Sequence, residues 1–215
     1  MPVNKEIARE KLILAGERLV ARHGLEGLSL RKVNLEAGQK NTSAALYHFG
    51  NRAGLLLAIF DYRLEHTDQR RHQLLDEDES HLRSLIRAWV LPDVEEITQA
   101  EGGSSHARFM AIVCNDPELN FDGLWDRPQA SSFRRLAFSL RKLLPDLPEK
   151  VFSMRFGMAM MQSIYAMADQ ERLIAAGNRQ ISAALFVSHL IDSLEALFKA
   201  PLSAQTLQEL KRTSA

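Results

Sequence analysis

The sequence predicts an all-α protein, and three observations carry that expectation. Apolar residues recur at three- and four-residue spacing through most of the 215 positions, the period of a helix with a buried face. No stretch alternates apolar and polar residues as a half-buried strand would. Glycine, proline and asparagine punctuate the chain at helix-length intervals, with no internal repeat and no low-complexity linker. At 46% hydrophobic residues, the chain has ample material for a core. The pattern divides it into a small N-terminal unit, residues 1–52, and a larger helical unit, residues 53–215.

The first helix is expected from Asn4 to His23, with Leu12, Gly16, Leu19 and Val20 on its packing face and Gly24 as its stop. Lys5 and Arg9 lie one turn apart on its outer side, within reach of a phosphate, although solvation is the ordinary role of such residues. Ser29 stands at an N-cap position, and Leu30, Val33 and Ala37 share one face of a short helix, Leu30 to Ala37. Gly38 ends it, because glycine takes the left-handed backbone found after helices. Five polar residues without an acid come next, Gln39-Lys40-Asn41-Thr42-Ser43, and lead into Ala44-Ala45-Leu46-Tyr47. Two short helices around a tight turn, the second with a polar start, form a helix-turn-helix, which lays its second helix in a DNA major groove. Gln39, Asn41, Thr42 and Ser43 can hydrogen-bond base edges or phosphates, and Lys40, with Arg31 and Lys32 on the preceding helix, adds charge. Ala44, Ala45 and Leu46 are expected to pack this helix on its neighbours.

Several pieces of this region stand in register: Leu12-Ile13-x-Ala15-x-x-x-Leu19-Val20-x-x-x-Gly24, Ser29-x-Arg31-x-Val33, Ala37-Gly38, His48-Phe49-x-Asn51-Arg52 and Leu55-Leu56. On these residues, Leu12 to Leu57 resembles the DNA-binding domain of the tetracycline-repressor-like (TetR) family of bacterial regulators. One departure is visible: Leu46-Tyr47 abuts His48-Phe49, and the interval from Ala-Gly to His-Phe is one residue longer than in the family. The resemblance implies that Tyr47 and His48 close the recognition helix and that Arg52, opening the next helix, touches phosphate. Asn51 would cap that helix, whose N-terminus itself favours an anion. The resemblance also implies a dimer formed through the last two long helices, a palindromic operator on double-stranded DNA, and an inducer cavity among the middle helices.

Net charge is zero, but it is unevenly spread. Nine Lys and Arg against five Glu precede residue 53, so positive potential gathers where the recognition helix lies and the remainder is acidic by the same amount. No apolar run is long enough to span a membrane, and the start, MPVNKEIAREKL, lacks the apolar segment of a secretory signal. A single cysteine, Cys114, fits a reducing compartment, so a cytoplasmic location is expected.

A long helix opening at Asn51 continues through Leu55, Leu56, Ile59, Phe60 and Leu64 toward His72 and links the two units. Further helices are expected at Glu79–Gln99, where Pro92 introduces a kink, and at Ser105–Asn115, Pro128–Leu144, Pro148–Leu173 and Gln180–Lys199. Loops fall at Gly102-Gly103-Ser104, Asn115-Asp116-Pro117, Leu144-Pro145-Asp146 and Ala176-Gly177-Asn178, and the polar tail after Pro201 is expected to fray.

The helix from Val151 carries two apolar stripes. Phe152, Phe156, Ala159, Ser163 and Ala166 form one, whose small members suit close approach of a second subunit, together with Phe186, Leu190, Leu194 and Leu197 of the last helix in a four-helix bundle. Met158, Met161 and Tyr165, from the other stripe, are the first candidates for a ligand-pocket wall, with Trp89 and Phe109 opposite, since methionine adapts to varied and largely apolar ligands. Most such residues in any protein are plain core. No HExxH, phosphate loop, glycine-framed serine or C-x-x-C is present, so no enzyme activity, cofactor or catalytic residue is expected. Histidines 66, 72 and 81 are separated by Arg70, Arg71 and Gln73 and by a solvated acidic turn, and no metal site is expected there. The functional expectation is a dimeric transcriptional repressor released by a small molecule. The alternative is an all-helical small-molecule-binding protein or enzyme whose N-terminal helices serve packing only.

Overall fold

The computed structural model describes residues 2–99, 104–114, 116, 127–178 and 180–212. Gly102, Gly103, Asn115 and Pro117, expected in loops, lie outside that set. Among the described residues there are ten α-helices, two single-turn 3₁₀ helices and no strand. The N-terminal helices are α1 (Pro2–His23), α2 (Leu30–Glu36) and α3 (Ala44–Phe49); the long connector is α4 (Arg52–Glu77). Then come α5 (Leu82–Gln99), α6 (His106–Val113), α7 (Ser131–Leu143), α8 (Glu149–Ala175), α9 (Ala183–Lys199) and α10 (Ala204–Arg212). Residues 204–212 are thus helical rather than frayed: Ser203 Oγ accepts from Thr206 N at 3.1 Å and so supplies the start that composition alone did not reveal.

Two apolar clusters form the interior. In the first, Leu12, Ile13 and Val20 of α1 meet Val33, Ala45 and the opening turns of α4 through Leu55 and Ile59. Phe109 and Val113 of α6 complete it, so the boundary at residues 52 and 53 is bridged by packing as well as by the backbone of α4. Gly54 permits the tight junction of α3 and α4, because a Cβ there would stand 2.1 Å from the Phe49 carbonyl oxygen. The second, larger cluster joins α5 to α9, with Trp89, Phe133 and Phe156 in mutual ring contact at centroid distances of 5.1 to 5.9 Å.

At 26 residues α4 is about 39 Å long, and polar contacts tie it to both clusters. Arg63 is buried and pairs through Nε and Nη2 with the buried Glu17 of α1, at 2.5 and 2.7 Å, while its Nη1 donates to Glu96 of α5. Arg70 pairs with Glu95 and Arg71 with Asp93, both on α5. Burial works against the Arg63 charge, but the bonds and charges of Glu17 and Glu96 outweigh it, and its pKa lies above the ordinary guanidinium value.

Replacing Arg63 with Met leaves Glu17 buried without a counter-charge and is expected to cost about 3–5 kcal/mol in urea unfolding. The double variant Glu17→Gln, Arg63→Met should recover most of that loss, since no unpaired charge then remains inside.

Candidate functional site

Within the N-terminal unit, local hydrogen bonding sets the shape of the reader. Ser29 caps α2 by accepting from Lys32 N at 3.2 Å. Gly38, at φ 64°, then turns the chain. Asn34, buried on α2, fixes the path of the chain beyond that turn: its Nδ2 donates to the Thr42 carbonyl at 2.6 Å, and its Oδ1 accepts from Ala45 N at 2.9 Å. Asn41 Oδ1 accepts from Ser43 N at 2.9 Å, closing an Asx turn. Residues 39–43 are therefore a pinned turn and not the first turn of a helix. The sequence signal for Asn34 is weak, since an Asn in an amphipathic pattern reads as a surface residue.

Lys40, Asn41, Thr42 and Ser43 stand exposed in this turn and Gln39 is half-buried; Arg31 and Lys32 are exposed on α2, and Arg52 is exposed at the start of α4. Ala44 and Ala45 pack inward as expected, whereas Leu46 is 55% exposed. The correction has a geometric cause: α3 starts only at Ala44, so a step of about 100° per residue carries Leu46 and Tyr47 round to the outer face once Ala45 points inward. Tyr47 is 71% exposed and its hydroxyl accepts from Lys5 Nζ at 3.1 Å. Arg9 lies over the Phe49 ring at 5.7 Å, so the start of α1 flanks the end of α3. Burial, and then the charges of Lys5 and Arg9, lower the His48 pKa, and this ring is neutral at neutral pH. Asn51 caps α4 by accepting from Gly54 N at 2.8 Å.

The larger unit holds a cavity of about 60 Å³. Five residues of α4 line it, Phe60, Arg63, Leu64, Thr67 and Arg71, together with Trp89, Asp93 and Ile97 of α5 and His106, Ala107 and Met110 of α6. Phe133 of α7 and Met160, Ser163, Ile164 and Met167 of α8 complete the wall. Of the five residues expected on it, Trp89 is present. Phe109 points instead into the N-terminal cluster, Met161 packs at the edge of the larger one, and Met158 and Tyr165 are exposed.

The two stripes of α8 are therefore turned opposite to the sequence reading. Phe152, Ala159 and Ser163 are buried inside the chain, as are Leu190 and Leu194 of α9; Phe156, Ala166, Phe186 and Leu197 are half-buried against the same core. A fully buried side chain has no surface left for a second subunit. The small residues Ala159 and Ser163 are enclosed in the protein's own core, α6 is held to α8 by Glu171, which accepts from Ala107 N and Arg108 N at 3.2 and 3.0 Å, and the outward face of α8 carries Met154, Gly157, Met158, Gln162 and Tyr165. Periodicity marks two apolar faces on such a helix and cannot say which meets its own domain. Arg155, also outside the sequence reading, is buried and donates to the carbonyls of Phe198 and Ala200 at 2.7 and 2.5 Å, holding the end of α9 against α8.

The comparison with known families falls on the part of the chain that carries no motif. A family model described as Tetracyclin repressor-like, C-terminal domain, matches residues 87–196, just over half of the chain. The chain belongs to the TetR family of transcriptional regulators. Two solved structures share its fold. A protein assigned to the TetR-family transcriptional regulators from Mesorhizobium loti is 14% identical, with 90% of this chain and 96% of that one covered, at a TM-score of 0.53. Another so assigned, from Rhodococcus sp., is 16% identical, with 89% and 98% covered, at 0.52. No curated protein matches the chain. No helix among the described residues is long and apolar enough to cross a membrane. The family match, made in α5 to α9, and the helix-turn-helix geometry, made in α2 and α3, are separate grounds for the same assignment.

Asn34→Ala removes two hydrogen bonds at once, one of them fully buried, and is expected to cost about 1–3 kcal/mol of stability. Hydrogen exchange should localise the effect: amides 42–46 should exchange faster, and those of the α8 core should not.

Proposed function

We propose that this regulator is a homodimeric repressor that holds a palindromic operator through residues 39–43 and α3 and is released when a small organic molecule enters the cavity. The observation that carries the reading is the course of α4. Its first turn, capped by Asn51, abuts α3, and five residues farther along the same helix line the cavity. A ligand that displaces the wall at Arg63 or Thr67 displaces the helix on which the reader rests. Successive major grooves on one face lie about 34 Å apart, so a small rotation of each subunit loses the match. α6 gives a second connection, with His106 and Met110 on the cavity and Phe109 in the cluster beneath α2 and α3.

On the DNA side, Lys40, Arg52, Arg31 and Lys32 supply charge to phosphates, and Gln39, Asn41, Thr42 and Ser43 offer polar atoms to bases. Tyr47, backed by Lys5, presents a ring and hydroxyl at the end of α3, with the His48 ring beside it. The dimer is assigned to the outward faces of α8 and α9, where Met154, Met158, Tyr165 and Leu185 are exposed. Exposed apolar side chains in this number along one pair of helices gain by covering each other.

Selection from randomised duplex DNA should return a palindrome; sequence-indifferent, salt-sensitive retention alone would remove the repressor reading. Lys40→Ala and Arg52→Ala should each weaken binding to every duplex and reduce the salt slope by about one, whereas Asn41→Ala or Thr42→Ala should change which bases are preferred.

Met158→Glu combined with Leu185→Glu should give a folded monomer in sedimentation, with operator affinity reduced by at least about tenfold because half-sites are then bound singly. An unchanged dimer would put the interface elsewhere.

A further inference from the structure

One end of the cavity carries an incomplete hydrogen-bond pattern. Arg63 and Arg70 each engage a carboxylate through the Nε and Nη2 edge, Arg63 with Glu17 and Arg70 with Glu95 at 3.0 and 3.2 Å. Arg71 makes only half of this pairing. Its Nη2 donates to Asp93 Oδ2 at 3.0 Å and its Nη1 to Ser132 Oγ at 3.3 Å, but Nε has no partner. Asp93 is shared, since its Oδ1 faces His106 Nε2 at 3.7 Å, and this leaves His106 Nδ1 without a partner as well. Both side chains are more than nine-tenths buried, and with Asp93 they line the cavity. Neighbouring hydroxyls are already committed: Ser163 donates to the carbonyls of Ala159 and Met160, and Thr67 to that of Arg63. Buried polar atoms are normally satisfied, so two such atoms on residues that both line the cavity and both face Asp93 point to a ligand that satisfies them.

We infer that the cavity recognises a small, largely apolar molecule bearing a hydroxyl group, an alcohol or a phenol, whose oxygen accepts from Arg71 Nε and whose proton is donated to His106 Nδ1. His106 Nε2 faces Asp93, and in the tautomer that carries its proton on Nε2 the Nδ1 atom is an acceptor, while Arg Nε is a donor only, so a hydroxyl is the simplest group that answers both. Charge argues against a carboxylate. Arg63 lies between two acids, Glu17 and Glu96, and Arg71 already faces Asp93, so a further anion would be buried without a counter-charge. Asp93 itself is held ionised: burial raises its pKa, but Arg71 and His106 outweigh this and keep it below the usual carboxylate range. The rest of the wall suits an apolar body, with Trp89 and Phe133 rigid and Met110, Met160 and Met167 adaptable. At about 60 Å³ the cavity is smaller than the roughly 150 Å³ that takes a benzene ring, so a ligand of phenol size enters only by displacing the wall, with the methionines the first to yield. This inference rests on the cavity being an effector site and adds the chemical class of the effector.

The test is a titration of the full chain, labelled with ¹³C at the methionine methyl groups, with phenol, toluene and benzoate. Met110, Met160 and Met167 report the cavity, and the exposed Met154 and Met158 serve as controls. Phenol should shift the cavity methyls and bind at least about tenfold more tightly than toluene or benzoate. In Arg71→Lys, which keeps the charge beside Asp93 but lacks Nε, phenol should fall to the affinity of toluene; His106→Phe provides the same comparison should that variant fail to fold. Equal binding of phenol and toluene, or tightest binding of benzoate, overturns the hydroxyl assignment and leaves the effector site standing. If none of the three probes shifts the cavity methyls, the effector site falls and the inference with it. Phenol binding that leaves operator affinity unchanged supports the hydroxyl assignment and removes only the release step.

Discussion

The guanidinium of Arg63 holds the structure together at its centre. It is buried where α1, α4 and α5 meet, with Glu17 on one side and Glu96 on the other, and it also forms part of the cavity wall. A charge so deep is tolerable only because each of its edges is bonded, and the bidentate geometry with Glu17 admits little relative movement of α1 and α4. Apolar packing of α1 on α4, through Gly16 against Leu55 and Ile59, could form in slightly different registers. The Arg63–Glu17 pair selects one.

From this point the helix-turn-helix and the cavity share elements. α4 begins at the reader and continues along the cavity; α6 puts Phe109 and Val113 into the N-terminal cluster while His106 and Met110 face the cavity. Protein interiors are close-packed, so a displaced wall residue is passed on through such helices and is not absorbed locally. The same layout explains why the cavity is bounded by charged pairs on α4 and α5. Arg63, Arg70 and Arg71 clamp two long helices whose relative position sets both the cavity and the base on which α3 stands.

The reader itself is a small rigid object made from short-range chemistry. Asn34, Asn41 and Gly38 define a turn that presents four consecutive exposed polar residues, and the start of α1 lies beside α3 through Lys5 on Tyr47 and Arg9 on Phe49. Lys5 and Arg9 thereby place positive charge around His48 and Tyr47 without any change in the net charge of the chain.

The sequence by itself determined the helical class, the gathering of basic charge before residue 53, the helix-turn-helix with its Ser29 and Asn51 caps, and the course of α4. These features are written in local signals, namely a 3.6-residue period, capping side chains and glycine stops, which act within a few residues of themselves. Tertiary structure alone decided the rest. Which of the two apolar faces of α8 turns inward depends on its packing against α5, α6 and α9, helices from other parts of the chain, so Met158 and Tyr165 became surface and Met160 and Met167 became cavity wall. The buried roles of Asn34, Arg63, Arg71, Arg155 and His106 were equally hidden, because a polar residue in an amphipathic pattern reads as solvated until a partner from another helix takes the place of water.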